Sequence, residues 1–243
     1  MLTLFKKEIR AFLSSLIGYI AISVFLLLAG LFLWILPSGY NLLSNGYAGL
    51  DSLFSLAPWV FLFLIPAITM RSFADEKKAG TIEFLLTKPL TDLQIILAKY
   101  LAGLTLVLFS LLPTLIYYYS IYRLGNPIGN IDSGGTWGSY IGLFFLAAAF
   151  ASIGIFASSL SDNQIVAFIL AVFLCFFCYI GFEYISMLDL FGKVDEFILS
   201  LGINDHYMSM SRGVIDTRDM VYYLSLIAIF ILMTKTKLES RKW

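Results

Sequence analysis

The sequence predicts an all-α integral membrane fold with six transmembrane helices, and three observations carry the prediction. Of 243 residues, 60% are hydrophobic and only 13% are charged, against roughly 45–50% and about 25% in soluble domains. Six apolar runs approach the length of about 20 residues that a helix needs to cross a hydrocarbon core. None of the six carries Lys, Arg, Asp or Glu at mid-run, although Lys99 lies near the start of the third. Residues 1–243 therefore read as one transmembrane domain. Sixteen basic residues balance sixteen acidic ones, so net charge gives no attraction to nucleic acid, and none is expected as a partner.

The N-terminal MLTLFKKEIRAFLSS is amphipathic. Phe5, Ile9, Phe12 and Leu13 recur at helical spacing on one side, and Lys6 and Arg10 lie four apart on another. Residues 1–10 are expected to form a helix lying in the membrane interface; a plain helical extension of the first span would show the same pattern. The first span, Ala11 to Leu36, is too long for a signal-peptide core and no small-residue cleavage site comes after it, so it is expected to be retained.

The second and third spans run from Ser52 to Met70 and from Ile95 to Tyr122. They contain Pro58, Pro66 and Pro113, either kinks along a pathway or prolines of the ordinary kind that membrane helices tolerate. Tyr117, Tyr118 and Tyr119 close the third span as an interfacial aromatic belt rather than a substrate cage. RLGNPIGNIDSGGTW then reads as an irregular loop. The fourth span, Gly138 to Leu160, is rich in small residues, among them Gly142, Ala147, Ala148, Ala149, Ala151, Ser152 and Gly154, which close helix packing explains.

The fifth span, Ile165 to Phe182, holds Cys175 and Cys178 as CFFC. Without a histidine or further cysteine beside them, they read as small packing residues rather than a metal or redox pair. Residues 183–219 mix Tyr184, Ile185, Met187 and Leu188 with charges, as expected of short helices at the outer interface or half-inserted into it. His206, the only histidine, lacks catalytic partners in the sequence and reads as a satisfied interfacial residue. The sixth span, Met220 to Met233, is short and borrows flanks such as Thr234 and Thr236.

An even number of spans puts both termini on one side. Lys6, Lys7, Arg10, Arg71, Lys77, Lys78, Lys88, Lys99, Lys235, Lys237, Arg241 and Lys242 fall on that side; Arg123, Lys193, Arg212 and Arg218 fall on the other. The positive-inside bias puts the termini in the cytoplasm, and a bacterial inner membrane is the expected location.

Between the second and third spans lies a polar insert, ADEKKAGTIEFLLTKPLTD, inside the loop 71–94. Gly80 ends the turn after Glu76, Thr81 can cap a new helix and Pro89 stops it, leaving about two helical turns from Ile82 to Lys88. Ile82, Leu85 and Leu86 share one face, while Glu83, Phe84 and Lys88 point elsewhere. Thr91 precedes Gln94 by three residues, a capping-box spacing that starts the third span. A short interfacial helix joined rigidly to a transmembrane one transmits a push on the first to the second.

The run from Arg71 through FADEKKAGTIEFLLTKPLT to Lys99 resembles the first cytoplasmic loop of type-2 ABC transporter permeases: an Arg, then Glu, Gly-Thr, a short aliphatic segment, a proline and a later lysine. The likeness extends to six spans, a basic amphipathic N-terminus and a helical outer segment before the last span. It implies that the loop carries a coupling helix docking on an ATP-binding subunit, with Glu76, Gly80, Thr81, Glu83, Phe84, Leu85 and Pro89 as docking and transmission residues. The closing stretch HYMSMSRGVIDTRDMVYYLSLIAIFILMTKTKLESRKW is similar to gliding-motility-associated permease subunits of the Bacteroidetes. The resemblance also implies a second permease chain, identical or different, surrounding lipids, and a large extracytoplasmic accessory protein.

No G-x-x-x-x-G-K-[ST] occurs, so the chain shows no phosphate-cradling loop of its own. ATP and magnesium are expected in the partner subunit, and neither enzymatic activity nor a cofactor in this one. Two functional readings remain: the membrane half of an ATP-driven exporter, or a non-transporting scaffold that uses a partner ATPase to position or release an envelope complex. An intramembrane enzyme or an ion-coupled carrier fits poorly, because the spans lack ionisable groups at mid-depth.

Overall fold

Inside lipid a backbone has no water to bond, so a single spanning segment satisfies its amides only as a helix. The computed structural model describes residues 1–83, 90–189 and 192–240; it is all-α, with no strand among the described residues. Helix α1 (Leu2–Leu13) comes first. Six helices are long and apolar enough to cross a membrane: α2 (Gly18–Ile35), α3 (Asp51–Lys78), α4 (Asp92–Leu124), α5 (Ser133–Leu160), α6 (Gln164–Ser186) and α9 (Thr217–Glu239). Between the last two lie α7 (Lys193–Leu199) and α8 (Ile203–Met210).

Polar side chains start most of these helices by accepting from otherwise orphaned amides. Ser15 accepts from Gly18 N, Asp132 from Gly135 N, Asn163 from Ile165 N and Asp216 from Arg218 N. At α4 the capping box is complete: Thr91 Oγ1 accepts from Gln94 N at 3.3 Å and Gln94 Oε1 from Thr91 N at 3.1 Å.

Several boundaries differ from those read in the sequence; α5, for one, starts at Ser133 and takes in residues expected in the preceding loop. The N-terminal helix reaches Leu13 and is not an extension of the first span. The chain turns at Ser14 and Ser15 so tightly that a Cβ on Gly18 would lie 2.6 Å from the Phe12 ring and 2.7 Å from its carbonyl oxygen. Helix α3 runs past Met70 to Lys78, so the first half of the charged insert is helix, not loop. Helix α9 reaches Glu239, and Thr234 and Thr236 fit within it by bonding their hydroxyls to Phe230 O and Leu232 O.

Helix α5 is the central strut, packed against α3, α4, α6, α8 and α9. Its small residues lie where neighbours approach. A Cβ on Gly154 would fall 2.0 Å from Thr69 Oγ1, on Gly142 2.7 Å from Met210 Cβ, and on Gly138 2.6 Å from Gly213 O. Cys175 is fully buried with its Sγ 3.9 Å from Phe150 O, and both cysteines are free. Pro58 and Pro66 leave α3 continuous, whereas Pro113 sits in one tighter turn, Leu112–Thr114, within α4.

Of the three consecutive tyrosines, Tyr117 packs against Trp34, Tyr118 bonds Ser133 Oγ at 2.8 Å, and only Tyr119 is exposed. At the end of the bundle far from the termini, α8 sinks into the helices rather than lying over them: Ile203 and Met210 are fully buried, and Tyr207 donates its hydroxyl to Phe54 O at 2.6 Å. His206 bonds Asp219 at 2.7 Å through Nδ1 and Ser200 O at 2.9 Å through Nε2, and stacks on Tyr222 at 3.8 Å.

Candidate functional site

Lys99 lies two turns into an apolar helix, about 10 Å from its start, with a side chain only 1% exposed. An ammonium at such a place is strongly unfavourable unless it is paired and fully bonded. Its Nζ donates to Glu8 Oε1 at 3.0 Å and to Ser72 O at 2.6 Å, lies 3.0 Å from Glu76 Oε1, and sits 5.2 Å from the centroid of the Phe73 ring. Two hydrogen bonds and a second carboxylate in ion-pair contact thus surround the ammonium group. Glu8 comes from α1, Ser72 and Glu76 from the extension of α3, and Lys99 from α4, so a single cation ties three helices together.

The exposed Lys7 adds a fourth charge, 3.5 Å from Glu76 and 3.9 Å from Glu8. Two carboxylates then face two ammonium groups and the node is neutral. Glu76 Oε2 is buried without a hydrogen-bond partner among the described residues, so the node holds Glu76 by one oxygen only.

The opposite side of the same α3 extension is clamped by the last turn of α5 and the first residue of α6. Ser158 Oγ accepts from Phe73 N at 2.9 Å and Ala74 N at 3.2 Å while donating to Met70 O at 2.8 Å. Lys77 donates to Ser159 O, and Gln164 Nε2 to Asp75, whose carboxylate also pairs with Arg71 at 3.0 Å. Residues 71–78 are thus gripped from both sides, and moving them moves α1, α4, α5 and α6.

This extension ends in a closed turn. Gly80 N bonds Lys77 O at 3.1 Å and Thr81 N bonds Glu76 O at 2.9 Å, which satisfies the last carbonyls of the helix. Gly80 has φ +65°, a conformation that a side chain at this position would strain.

The seven residues singled out in the sequence therefore divide. Glu76 faces inward, its side chain 14% exposed, and belongs to the node. Gly80 makes the turn. Thr81 points its hydroxyl back to Glu76 O at 3.4 Å, sealing the helix behind it; the segment it was expected to cap lies largely outside the described residues. Glu83 is exposed beside Ile82, which is half-buried against the core. Phe84, Leu85 and Pro89 lie outside the described residues, as do Leu86 and Lys88.

The sequence reading missed Glu8, Ser158 and Gln164 as partners of this region. It had one usable signal, a lysine inside an apolar run, which demands a buried counter-charge. A family model described as "ABC-2 family transporter protein" matches residues 2–238. No curated protein matches the chain.

Proposed function

Because this chain belongs to the ABC-2 family of transporter proteins, we propose that it is the membrane-spanning permease subunit of an ATP-driven exporter, coupled to a separate ATP-binding subunit through the turn at Gly80. Family membership itself makes the chain a multi-pass membrane component of an ABC transporter, a class that works with an ATP-binding partner. ATP and magnesium belong to that partner. A second permease chain completes the unit. The likeness of the closing stretch to gliding-motility permeases supports a place in a motility machine, with an extracytoplasmic companion.

The observation that carries the coupling reading is the two-sided grip on residues 71–78. Helix α3 spans 28 residues, about 42 Å of helix. One end leads into the Gly80 turn and the other is bonded at Phe54 O by Tyr207 of α8. A force applied by a partner beyond Gly80 therefore loads a single rod, with α1 and α4 attached through Lys99 and α8 at its far end. Interlocked interfaces of this kind move between discrete arrangements rather than deforming continuously.

Docking is tested at the exposed end. Glu83→Lys and Phe84→Ala are expected to cut recovery of the copurifying ATPase severalfold or more while leaving the permease level in the membrane unchanged, since an interface anchor commonly contributes about 2 kcal/mol. Full recovery with both variants would move the docking surface elsewhere, with the polar turn between α5 and α6 the next to test.

Sidedness rests on the basic residues, twelve of sixteen of which the order of spans in the sequence assigns to the side of the termini. A reporter fused after Trp243 is expected in the cytoplasm and one inserted at Gly129 outside. An external C-terminus would overturn the assignment.

A further inference from the structure

Between the far-end halves of α3 and α6, beneath α8, lies a cavity of about 330 Å³. Trp59 lines it from α3, Tyr179 and Tyr184 from α6, and Tyr40 from the connection between α2 and α3. Trp59 and Tyr179 meet edge to face, their centroids 6.0 Å apart and their planes at 89°. The mouth is open, for Trp59 is 45% and Tyr184 63% exposed. Glu183 is the single charged residue among those lining it. Asn204 donates to Glu183 Oε2 at 2.8 Å, fixing that carboxylate at the rim.

Aromatic faces carry negative potential and attract cations, more strongly where water is partly excluded. One carboxylate adds to that potential, and no basic lining residue opposes it. A phosphate or carboxylate ligand would find no counter-charge among the lining residues, and a wholly apolar one would leave the Glu183 carboxylate without one. We infer that this cavity binds an organic cation: an ammonium group carrying small apolar substituents, seated against Trp59 and the tyrosines with its charge toward Glu183. The chemistry is shared by an outer-leaflet choline or ethanolamine headgroup and by a soluble amine. The inference is independent of the coupling reading, because binding is measured on this chain without an ATPase.

The test uses the purified full chain in nanodiscs of phosphatidylglycerol, with choline as the probe and saturation-transfer NMR on its trimethyl signal as the readout. Its uncharged carbon isostere, 3,3-dimethylbutan-1-ol, is the control. Saturable transfer to choline is expected, with much weaker transfer to the isostere. Trp59→Leu and Glu183→Gln are each expected to weaken choline binding by about tenfold. The glutamine keeps an acceptor for Asn204, so an unchanged melting temperature separates lost charge from lost fold.

Repeating the titration in phosphatidylcholine discs distinguishes the sources. A lower apparent affinity for choline there identifies a lipid headgroup as the occupant, and an unchanged affinity identifies a soluble cation. No transfer to choline in phosphatidylglycerol, an equal response to the isostere, or wild-type affinity in either folded variant overturns the inference and leaves the rings as an interfacial aromatic belt.

Discussion

Replacing Lys99 by methionine is expected to remove most of the folded permease from the membrane. The substitution keeps length and apolar volume, so packing of the stem survives. It leaves Glu8 and Glu76 facing each other without the ammonium group that lies 3.0 Å from each. Breaking one partner out of a buried ion pair costs about 3–5 kcal/mol, a large share of the roughly 5–15 kcal/mol that holds a domain folded. Lys7 compensates little, because it is 62% exposed and lies 3.5 Å or more from either carboxylate.

The decisive comparison is the triple variant Lys99→Met, Glu8→Gln, Glu76→Gln. Replacing a whole buried ionic cluster by neutral groups is often close to neutral for stability, so melting temperature and membrane level are expected to recover substantially. Stimulation of the partner ATPase by the permease is expected to stay low, since α1 and α4 are no longer tied to the α3 rod by charge. A single Lys99→Met variant with wild-type melting temperature would show that the node contributes nothing to the fold.

How much of this was readable beforehand depends on whether the relevant physics is local. The spans and the Thr91–Gln94 capping box are set by neighbours within a turn or two, and sequence periodicity reports those directly. The node is not local. Glu8 and Lys99 are separated by 91 positions and Asp75 and Gln164 by 89, and no periodicity pairs residues across such distances. Lys99 announced that a partner must exist without saying which.

The resemblance put Glu76 among the docking and transmission residues, but only the fold shows that its helix turns it toward Lys99 of α4, 3.0 Å away. The length of α3 was missed because of its composition. At ADEKK the hydropathy falls sharply while helix propensity does not, since Ala, Glu and Lys are all good helix formers. A change of composition marked where lipid exposure ends, not where the helix ends.

At the base of the rod, Gly154→Leu is expected to be the most damaging single change in α5, and Gly154→Ala already harmful. Even the first carbon of a side chain at 154 would sit 2.0 Å from Thr69 Oγ1 and 2.9 Å from Thr69 Cβ. Thr69 has little room to yield: it is 1% exposed, β-branched, and bonded through its hydroxyl to Ile65 O at 2.9 Å. Relief requires α5 and α3 to separate just where Ser158, one turn further on, clamps the α3 extension. Overpacking of this kind costs about 1–3 kcal/mol, with leucine at or above the upper end.

Gly103 supplies the matched control. It faces the same threonine from α4, but its added Cβ would lie 3.6 Å from Thr69 Cγ2, an ordinary contact. Gly103→Ala is therefore expected to be neutral or to stabilise by up to about 1 kcal/mol, the gain of alanine over glycine in a helix interior. Thr69→Ala combined with Gly154→Ala removes the 2.0 Å contact and keeps the 2.9 Å one, so partial recovery is expected. Melting temperatures of the four purified variants decide the matter: if Gly154→Ala melts with Gly103→Ala, the close approach of α3 and α5 does not constrain the protein.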